Sequence, residues 1–144
     1  MNLPNYPIVL SLPVLWADLD LFGHVNNTIY LKWFESARVA YWDGSLMRDY
    51  MVPHDLGPIL ASIHCDYKKQ IHYPDQIEVS ARAAHIGSTS ITMEHEVFSQ
   101  HHGTVAASGQ SVIVMFDYKQ QQKYVITDEL RAIIERCEAR AGEA

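Results

Sequence analysis

The sequence has only two cysteines, Cys65 and Cys137, too few for the disulfide framework of a small secreted protein. It has no apolar run of the ~18 residues that a membrane helix requires, and its first residues lack the basic segment of a secretory signal. Basic residues are also few, since 11 Lys and Arg stand against 17 Asp and Glu, giving a formal net charge of −6. The composition therefore predicts a cytoplasmic protein that neither inserts into membranes nor binds nucleic acid.

Hydrophobic residues make up 48% of the chain and charged residues 19%, a balance that is typical of a folded globular protein. At 144 residues, the chain is long enough to bury a substantial core. No internal repeat, linker or change in composition divides it. We therefore expect a single domain over residues 1–144.

Hydrophobic periodicity predicts the order strand, helix, four strands, helix. The first strand is expected over residues 8–18, where Pro13 would place it at an edge of a sheet or at a bulge. The first helix is expected over 27–43, followed by a loop over 44–58. The later strands follow one another through short turns, so the pattern indicates an α+β fold with an antiparallel sheet and its helices on one side.

The strand predicted at 59–67 alternates apolar and polar residues, as a strand with one buried face does. The residues expected on its buried face are Ile59, Ala61, Ile63, Cys65 and Tyr67. Cys65 is accordingly interpreted as a core residue. The last helix is expected to begin after Thr127, whose side chain can cap it.

The first predicted helix is unusually rich in large apolar residues. Its apolar face is formed by Ile29, Tyr30, Trp33, Phe34, Ala37, Ala40 and Tyr41. Only Lys32, Glu35 and Ser36 form a narrow polar strip. A helix with so wide an apolar face must be surrounded by other structure, so we expect the rest of the chain to wrap around it.

Residues 18–27, DLDLFGHVNN, place two carboxylates, a glycine and two asparagines immediately before this helix. Asn26 is expected to cap the helix, which leaves the backbone N–H of Asn27 without a partner at the first helical position. Such an amide, at the positive end of the helix dipole, can stabilise a negatively charged oxygen. The motif therefore predicts an anion-stabilising group at the helix start.

Gly23 permits a sharp turn that would return Asp18 or Asp20 to this end of the helix. A carboxylate beside an amide that stabilises an oxyanion supplies two of the groups that acyl transfer requires. The alternative is a purely structural role, in which the aspartates cap a turn or favour the helix dipole. The spacing alone does not decide between these two interpretations.

The stretch from Trp16 to Asp43 resembles the signature of the 4-hydroxybenzoyl-CoA thioesterase family of hotdog-fold proteins. The residues that carry the resemblance are Asp18, Asp20, Gly23, His24, Val25, Asn26, Asn27, Tyr30, Glu35 and Arg38. The segments DYKKQIHYPDQIEV and IGSTSITMEHEVF are similar to later parts of the same family, so the resemblance covers most of residues 8–118. It implies a hotdog fold, in which an antiparallel sheet wraps around a long central helix.

The resemblance also implies a function, the hydrolysis of an acyl-CoA thioester without a metal or other cofactor. It implies a homodimer or a homotetramer with active sites at the subunit interfaces. One alternative is a hotdog dehydratase that acts on a carrier-bound acyl chain, which the aspartate motif disfavours. The other is a non-catalytic hotdog dimer that binds acyl chains or serves as a scaffold.

Residue roles follow from the same resemblance. Asp20 matches the catalytic carboxylate, acting as a nucleophile or as a base on water. Asn27 matches the position whose backbone amide polarises the thioester carbonyl. His24 would orient Asp20, bind substrate or have a packing role, whereas Asp18 is expected to be structural.

The contacts to coenzyme A are less clearly marked. Some members of the family have basic residues for the CoA phosphates in a hairpin where this chain has the segment GSTS, residues 87–90. Hydroxyl and amide groups can also bind phosphate, so Ser88 and Thr89 are candidate substrate-binding residues. Gly23, at the turn beside the carboxylate, is a third candidate.

The eight histidines do not suggest a metal site. His101 and His102 are adjacent in a predicted turn, without an acidic ligand pattern nearby. His64 and Asp66 share a strand face, but no third ligand is spaced for zinc. We therefore expect no bound metal.

Overall fold

One antiparallel sheet with a long helix packed across it makes up most of the structure, a computed structural model that describes residues 2–142. The strands are β1 (Ile8–Pro13), β2 (Leu56–Tyr67), β3 (Gln76–Ile86), β4 (Ser90–Ser99), β5 (Thr104–Asp117) and β6 (Gln122–Lys123). The helices are α1 (Asn27–Gly44), α2 (Met47–Met51) and α3 (Asp128–Glu138), with 3-10 turns at Trp16–Asp18 and Val52–His54. Within residues 2–142, no helix has both the length and the apolar character to cross a membrane.

The strands lie in the order β1-β3-β4-β5-β2, and every neighbouring pair is antiparallel. The short strand β6 pairs with the end of β5. β1 occupies one edge, as predicted from Pro13, which has no N–H to donate to a second neighbour. β2 occupies the other edge, so its outer side has no strand partner in the described part of the chain.

α1 packs against β1, β2, β3 and β4. The side chains that it buries are Tyr30, Trp33, Phe34, Ala37, Arg38, Tyr41 and Trp42. Each large apolar side chain that leaves water stabilises the fold by about 1.5–3 kcal/mol, so this face supplies much of the core. Lys32 and Glu35 are exposed, as the predicted polar strip requires. The expected arrangement of a helix enclosed by an antiparallel sheet is confirmed.

Gly109 in β5 allows α1 to lie close to the sheet. A Cβ atom at this position would overlap both the Phe34 ring and the backbone carbonyl oxygen of His64. A larger residue would therefore displace either the helix or the neighbouring strand β2.

Two predictions about the first half of the chain were wrong in extent. The first strand ends at Pro13 rather than at residue 18, because a 3-10 turn follows in which Asp18 Oδ2 accepts the Leu15 N–H at 2.8 Å. The predicted loop over 44–58 contains α2, the second 3-10 turn and the start of β2. The overlooked signal was the helical spacing of three residues that are buried, Met47, Tyr50 and Met51.

A β-bulge at Ala61 changes part of the face assignment predicted for β2. Leu60 lies opposite Ile113 of β5 and the next paired residue is Ser62, so Ala61 has no partner. Opposite residues of antiparallel strands project to the same face, and Ile113 is buried. Leu60 therefore lies on the face of the sheet that carries Ile113, although it is 44% exposed, whereas Ile59 and Ala61 do not lie on that face. Beyond the bulge, the predicted inner residues pack against the core: Ile63 and Cys65.

A polar network crosses the core between α1 and the sheet. His95 on β4 is 1% exposed, and its ring stacks on the Phe34 ring with centroids 4.8 Å apart. Its Nδ1–H donates to the Ser80 carbonyl at 3.0 Å, while its Nε2 accepts from the Ser111 hydroxyl. Arg38 Nη1 donates to the same hydroxyl oxygen at 3.3 Å. Burial, with a contribution from the nearby Arg38 charge, lowers the pKa of His95 to about 4.

The low pKa of His95 predicts that the fold loses stability in mildly acidic solution. A histidine in the unfolded chain titrates near pH 6.5, so between about pH 6.5 and pH 4 the unfolded state binds a proton that the native state does not. Through this group alone, the free energy of unfolding should fall by about 2 kcal/mol from pH 7 to pH 5. Urea denaturation at both pH values measures the change. His95→Gln, which cannot titrate, should lose this component, and an unaltered pH dependence in that variant would contradict the assignment.

Candidate active site

A tight turn over residues 20–24 leads into α1. The Asp20 N–H donates to the His24 carbonyl at 2.7 Å, and the Gly23 N–H donates to the Asp20 carbonyl at 3.1 Å. Gly23 has a φ of +80°, a left-handed conformation that glycine adopts without strain. A side chain at Gly23 would meet no atom within 4 Å, so the need for glycine is conformational rather than steric. The predicted sharp turn is confirmed.

The turn fixes one oxygen of the Asp20 carboxylate and leaves the other free. Oδ1 accepts the N–H of Phe22 at 2.9 Å and the N–H of His24 at 3.2 Å. Oδ2 accepts no hydrogen bond from any residue between 2 and 142. The carboxylate is therefore held in one orientation with an oxygen available to a bound molecule.

Asn26 caps α1, as predicted. Its Oδ1 accepts the Thr28 N–H at 3.0 Å and the Thr28 hydroxyl at 2.9 Å. Asn27 is the first helical residue, and its N–H has no acceptor among the residues that the structure describes. The helix dipole makes this end of α1 partly positive, so an oxyanion placed beside the Asn27 amide would be stabilised.

Asp20 and the start of α1 belong to one cleft of about 510 Å³. Its lining residues are Asp20, His24, Val25, Asn26, Asn27, Tyr30, Tyr67, Lys68, Lys69 and Gln70. The last four lie at the end of β2 and in the segment that follows it. Gly23, a predicted substrate-binding residue, shapes the turn without lining this cleft. The three predicted catalytic residues are thus brought together.

Two tyrosines form part of the cleft wall. The Tyr67 hydroxyl donates to the Asn27 carbonyl at 3.0 Å, and its ring meets the Tyr30 ring edge to face with centroids 4.9 Å apart. Burial raises the pKa of Tyr30 to about 12 and also raises the pKa of Tyr67. Both hydroxyls are therefore neutral near pH 7, and they can position a ligand but cannot act as ionised bases.

His24 acts on Asp20 through its backbone rather than through its ring. Both its N–H and its carbonyl oxygen bond to Asp20, and most residue types could make these contacts. The ring instead meets the His72 ring edge to face at 4.9 Å, and His72 Nδ1–H donates to the Gly23 carbonyl at 3.3 Å. The His24 ring therefore packs on His72 and does not orient Asp20, and its contact with substrate stays a prediction.

Asp18 does not line the cleft. Its carboxylate closes the preceding 3-10 turn at the Leu15 N–H, and its backbone carbonyl accepts the Asn26 N–H at 2.8 Å. Both contacts hold the segment that precedes α1 in place, which is the geometry of a structural residue.

Ser88 and Thr89 lie far from the cleft within one chain. They form the turn between β3 and β4, where the Thr89 carbonyl accepts the Met115 N–H at 2.8 Å. Tyr67, at the cleft, lies opposite Ala107 at the other end of the same strand β5. Residues 107 to 115 of an extended strand span about 26 Å. Within one chain this turn does not line the cleft, and its contact with substrate stays a prediction.

Two lysines at the rim of the cleft were not predicted as site residues. Lys68 and Lys69 directly follow β2, and their N–H groups both donate to the Ala106 carbonyl, at 2.8 and 3.0 Å. Their side chains are exposed. The sequence did contain a signal for a phosphate-binding site, because Lys68 and Lys69 are its only two adjacent Lys or Arg residues. No local sequence pattern, however, predicts that the end of β2 lies beside the start of α1.

The described residues near the cleft offer neither a reactive thiol nor a set of metal ligands. Burial raises the pKa of the Cys65 thiol, so it is not a thiolate near pH 7. Within residues 2–142, no three His, Cys, Asp or Glu side chains are placed to hold a metal ion. His64 and Asp66 do approach each other, with Nε2 and Oδ1 3.1 Å apart, but both side chains are exposed on the sheet. That the reaction needs no metal stays a prediction.

Comparison of sequences relates the chain to thioesterases. The sequence profile of the thioesterase-like superfamily matches residues 14–134. The long-chain acyl-CoA thioesterase FadM of Escherichia coli (strain K12) is 26% identical over 121 residues, which cover 82% of this chain and 89% of FadM.

Solved structures share the architecture. A thioesterase from Thermus thermophilus, determined in complex with coenzyme A and Zn, matches with a TM-score of 0.81 at 29% identity, over 94% of this chain and 98% of that one. A thioesterase superfamily protein from Jannaschia sp. CCS1 matches with a TM-score of 0.81 at 26% identity, over 91% of this chain and 82% of that one. The fold is therefore the hotdog fold that the sequence motif implied.

Fold and site together define a hotdog protein in which a free carboxylate oxygen shares a cleft with an unpaired helix amide. The chain belongs to the thioesterase-like superfamily. This superfamily is broader than the 4-hydroxybenzoyl-CoA thioesterase family that the motif resembles, and the narrower assignment does not follow from these matches.

Removing the cap of α1 tests whether activity depends on the position of the Asn27 amide or only on the stability of the protein. Asn26→Ala removes the acceptor for Thr28 and should lower the free energy of unfolding by about 1 kcal/mol. Because the amide of Asn27 then loses its fixed position, activity should fall as well. Thr127→Ala removes the matching cap of α3, whose Oγ accepts the Leu130 N–H at 3.2 Å, and should reduce stability without affecting the cleft. Denaturation and activity are measured for both variants, and equal losses of activity would contradict this view.

Proposed function

We propose that this protein is an acyl-CoA thioesterase, which hydrolyses an acyl-CoA thioester to a free acid and coenzyme A. The observation that carries the proposal is the shared cleft, to which the free Oδ2 of Asp20 and the unpaired N–H of Asn27 both belong. Thioester hydrolysis requires one group that activates or replaces water and another that holds an oxyanion. The similarity to FadM, and to a thioesterase solved with coenzyme A, supports this substrate class.

In the proposed reaction, Asp20 acts first on a water molecule. Its Oδ2 removes a proton while the water oxygen attacks the thioester carbonyl carbon. The carbonyl oxygen becomes an oxyanion that the Asn27 N–H stabilises. When this intermediate collapses, the carbon–sulfur bond breaks and the proton on Asp20 passes to the departing sulfur. Asp20 is then a carboxylate again, and the products are a carboxylic acid and the CoA thiol.

The same geometry serves a second route in which Asp20 is the nucleophile. Its Oδ2 would attack the carbonyl carbon directly and expel the CoA thiolate, leaving a mixed anhydride that water then hydrolyses. Both routes require one free carboxylate oxygen and the amide of Asn27. A protein that only bound acyl chains or served as a scaffold would require neither, so the cleft favours an enzyme over the non-catalytic alternative.

Lys68 and Lys69 support coenzyme A as the thiol half of the substrate. They place two exposed ammonium groups at the rim of the cleft, and phosphate groups attract such cations. The hairpin at 87–90 has no basic residue, so these lysines are the better phosphate ligands. Because the whole chain is acidic, with a formal net charge of −6, a local positive rim would steer an anionic substrate to this place.

We also propose that residues 1–144 act as one domain, which works in the cytoplasm as a homodimer or homotetramer. The edge strand β2 has 12 residues, and a long unpaired edge favours pairing with another chain. A second copy would also be the means by which Ser88 and Thr89 reach a cleft. Cys65 and Cys137 are both unpaired, as expected in a reducing compartment.

Replacing Asp20 by Asn tests the proposed base or nucleophile. The amide oxygen can still accept the N–H groups of Phe22 and His24, so the turn should persist. The side chain can no longer take a proton or attack a carbonyl. We expect kcat for an acyl-CoA, measured by release of free thiol, to fall by ~10² or more, with a much smaller change in KM.

Asp18→Asn is the matched control, because that carboxylate closes a turn outside the cleft. It should reduce kcat much less than Asp20→Asn does. If Asp20→Asn kept nearly normal turnover while Asp18→Asn lost it, the wrong carboxylate would have been assigned.

Reversing the charge of both lysines tests the contact with coenzyme A. The double variant Lys68→Glu and Lys69→Glu should raise KM for an acyl-CoA by about tenfold or more, with less effect on kcat. Added salt should raise the wild-type KM in the same direction, because exposed charges are screened. Lys119→Glu with Lys123→Glu makes the same change of charge at two exposed positions, one before the short strand β6 and one within it. An equal rise of KM in this control would mean that overall charge, and not the rim, binds the substrate.

A further inference from the structure

The cleft has two walls that come from distant parts of the sequence. One wall is the start of α1 with the turn before it, where Asp20 and Asn27 lie, and the other is the end of β2 with residues 68–70. A thioester would lie between the two walls, so their separation decides where its carbonyl oxygen falls relative to the Asn27 amide. An oxyanion donor works only when it is held within about 0.5 Å of its productive position. A contact that fixes one wall against the other therefore bears on the reaction.

Tyr67 makes such a contact at the residue that carries the amide. Its hydroxyl donates to the Asn27 carbonyl at 3.0 Å, across 40 positions of the sequence. Tyr67 is the last residue of β2, and Asn27 is the first residue of α1. This hydrogen bond therefore joins the two walls at the point where the oxyanion would form.

The helix does not require this hydrogen bond. As the first residue of α1, Asn27 already has its carbonyl oxygen paired with the N–H four positions later, and Tyr67 uses the second lone pair. Burial does not require it either, because Tyr67 is 48% exposed and its hydroxyl could bond to water instead. The bond therefore satisfies no buried group, and its consequence is geometric, since it restricts the movement of Asn27.

The ring of Tyr67 is itself held in place. It meets the Tyr30 ring edge to face, with centroids 4.9 Å apart and planes at 89°. Tyr30 is 3% exposed and belongs to the face of α1 that is buried against the sheet. A tyrosine side chain has only two rotatable bonds, so support at the ring leaves the hydroxyl little freedom. The Tyr67 hydroxyl is therefore a fixed point for Asn27 rather than a mobile group.

We propose that Tyr67 is a positioning residue of the active site, whose hydroxyl holds Asn27 so that its N–H stays directed at the carbonyl oxygen of the substrate. The assignment rests on the proposed function, because it concerns how that site holds its oxyanion donor. Tyr67 acts through Asn27 and transfers no proton. The alternative is a direct contact between the Tyr67 hydroxyl and bound substrate, which affects binding rather than turnover.

Replacing Tyr67 by Phe removes one oxygen atom and leaves the ring against Tyr30. We expect kcat for an acyl-CoA, measured by release of free thiol, to fall about tenfold, because loss of a whole oxyanion donor costs ~10²–10³ and a loosened donor costs part of that. KM should change by less than about twofold, since the amide acts in the transition state. The Kd of an S-alkyl-CoA, a thioether without a carbonyl oxygen, should be unchanged in isothermal titration calorimetry. A direct contact with substrate predicts the opposite, a higher KM with little change in kcat.

Tyr124→Phe is the matched control. It removes a hydroxyl that bonds to the Tyr50 hydroxyl at 2.6 Å, and neither tyrosine lines the cleft. Circular dichroism checks that both variants fold, and Tyr124→Phe should keep the kcat of the wild type. An equal loss of kcat in the two variants would mean that Tyr67 acts through general stability, which would overturn the assignment.

The mobility of Asn27 gives a second measurement that needs no turnover. In nitrogen-15 relaxation experiments, the backbone order parameter of Asn27 should fall in Tyr67→Phe and keep its wild-type value in Tyr124→Phe. If the wild type released no thiol from acyl-CoA while this order parameter still fell, the proposed function would be refuted and the hold of Tyr67 on the amide would stand. If the wild type hydrolysed acyl-CoA and Tyr67→Phe kept its kcat, the proposed function would stand and the role of Tyr67 would be refuted.

Discussion

The burial of the aromatic face of α1 against the sheet is the constraint on which the rest of the structure depends. With Trp33, Phe34 and Tyr41 buried, the helix cannot slide along its axis without opening cavities in a close-packed core. Its start is also tied to the neighbouring backbone, since the Val25 N–H donates to the carbonyl of the buried Ile71 at 2.8 Å. The position of the Asn27 amide is therefore set by the core of the protein and not by the loop alone.

The hydrogen bonds before α1 explain why one amide is left for another molecule. A carboxylate close to a helix start would ordinarily bind the unpaired helix amides. Here the amides of Phe22 and His24 already hold Asp20 Oδ1, and the Asn26 side chain holds the Thr28 amide. Because these amides and acceptor atoms bond to one another within the loop, none of them occupies the Asn27 N–H, which stays available to a bound molecule.

The parts of the site that were predicted from sequence depend on residues close together in the chain. A helix cap, a glycine turn and a free first amide are decided within residues 18–28, where local rules apply. The parts that were missed depend on strand register and tertiary contact. The bulge at Ala61 moves the exposed Leu60 to the face of the sheet that carries Ile113, and the pairing of β2 with β5 brings Lys68 to the cleft. The same register separates Ser88 from the cleft, although the motif suggested that it binds substrate.

Burial affects the two basic side chains of the core, His95 and Arg38, in different ways. His95 is neutral at physiological pH, so it is buried as an uncharged ring between Ser80 and Ser111. A guanidinium does not lose its proton so readily, and the charge of Arg38 itself lowers the pKa of His95. Burial is the main reason that the pKa of His95 is low and its ring neutral, and the charge of Arg38 adds to this effect. If packing were the only requirement, an apolar residue at Arg38 would fill the space without a charge to stabilise. Its guanidinium instead donates to the Ser111 hydroxyl at 3.3 Å, and the Glu35 carboxylate one turn earlier in α1 counteracts the lowering of its pKa by burial.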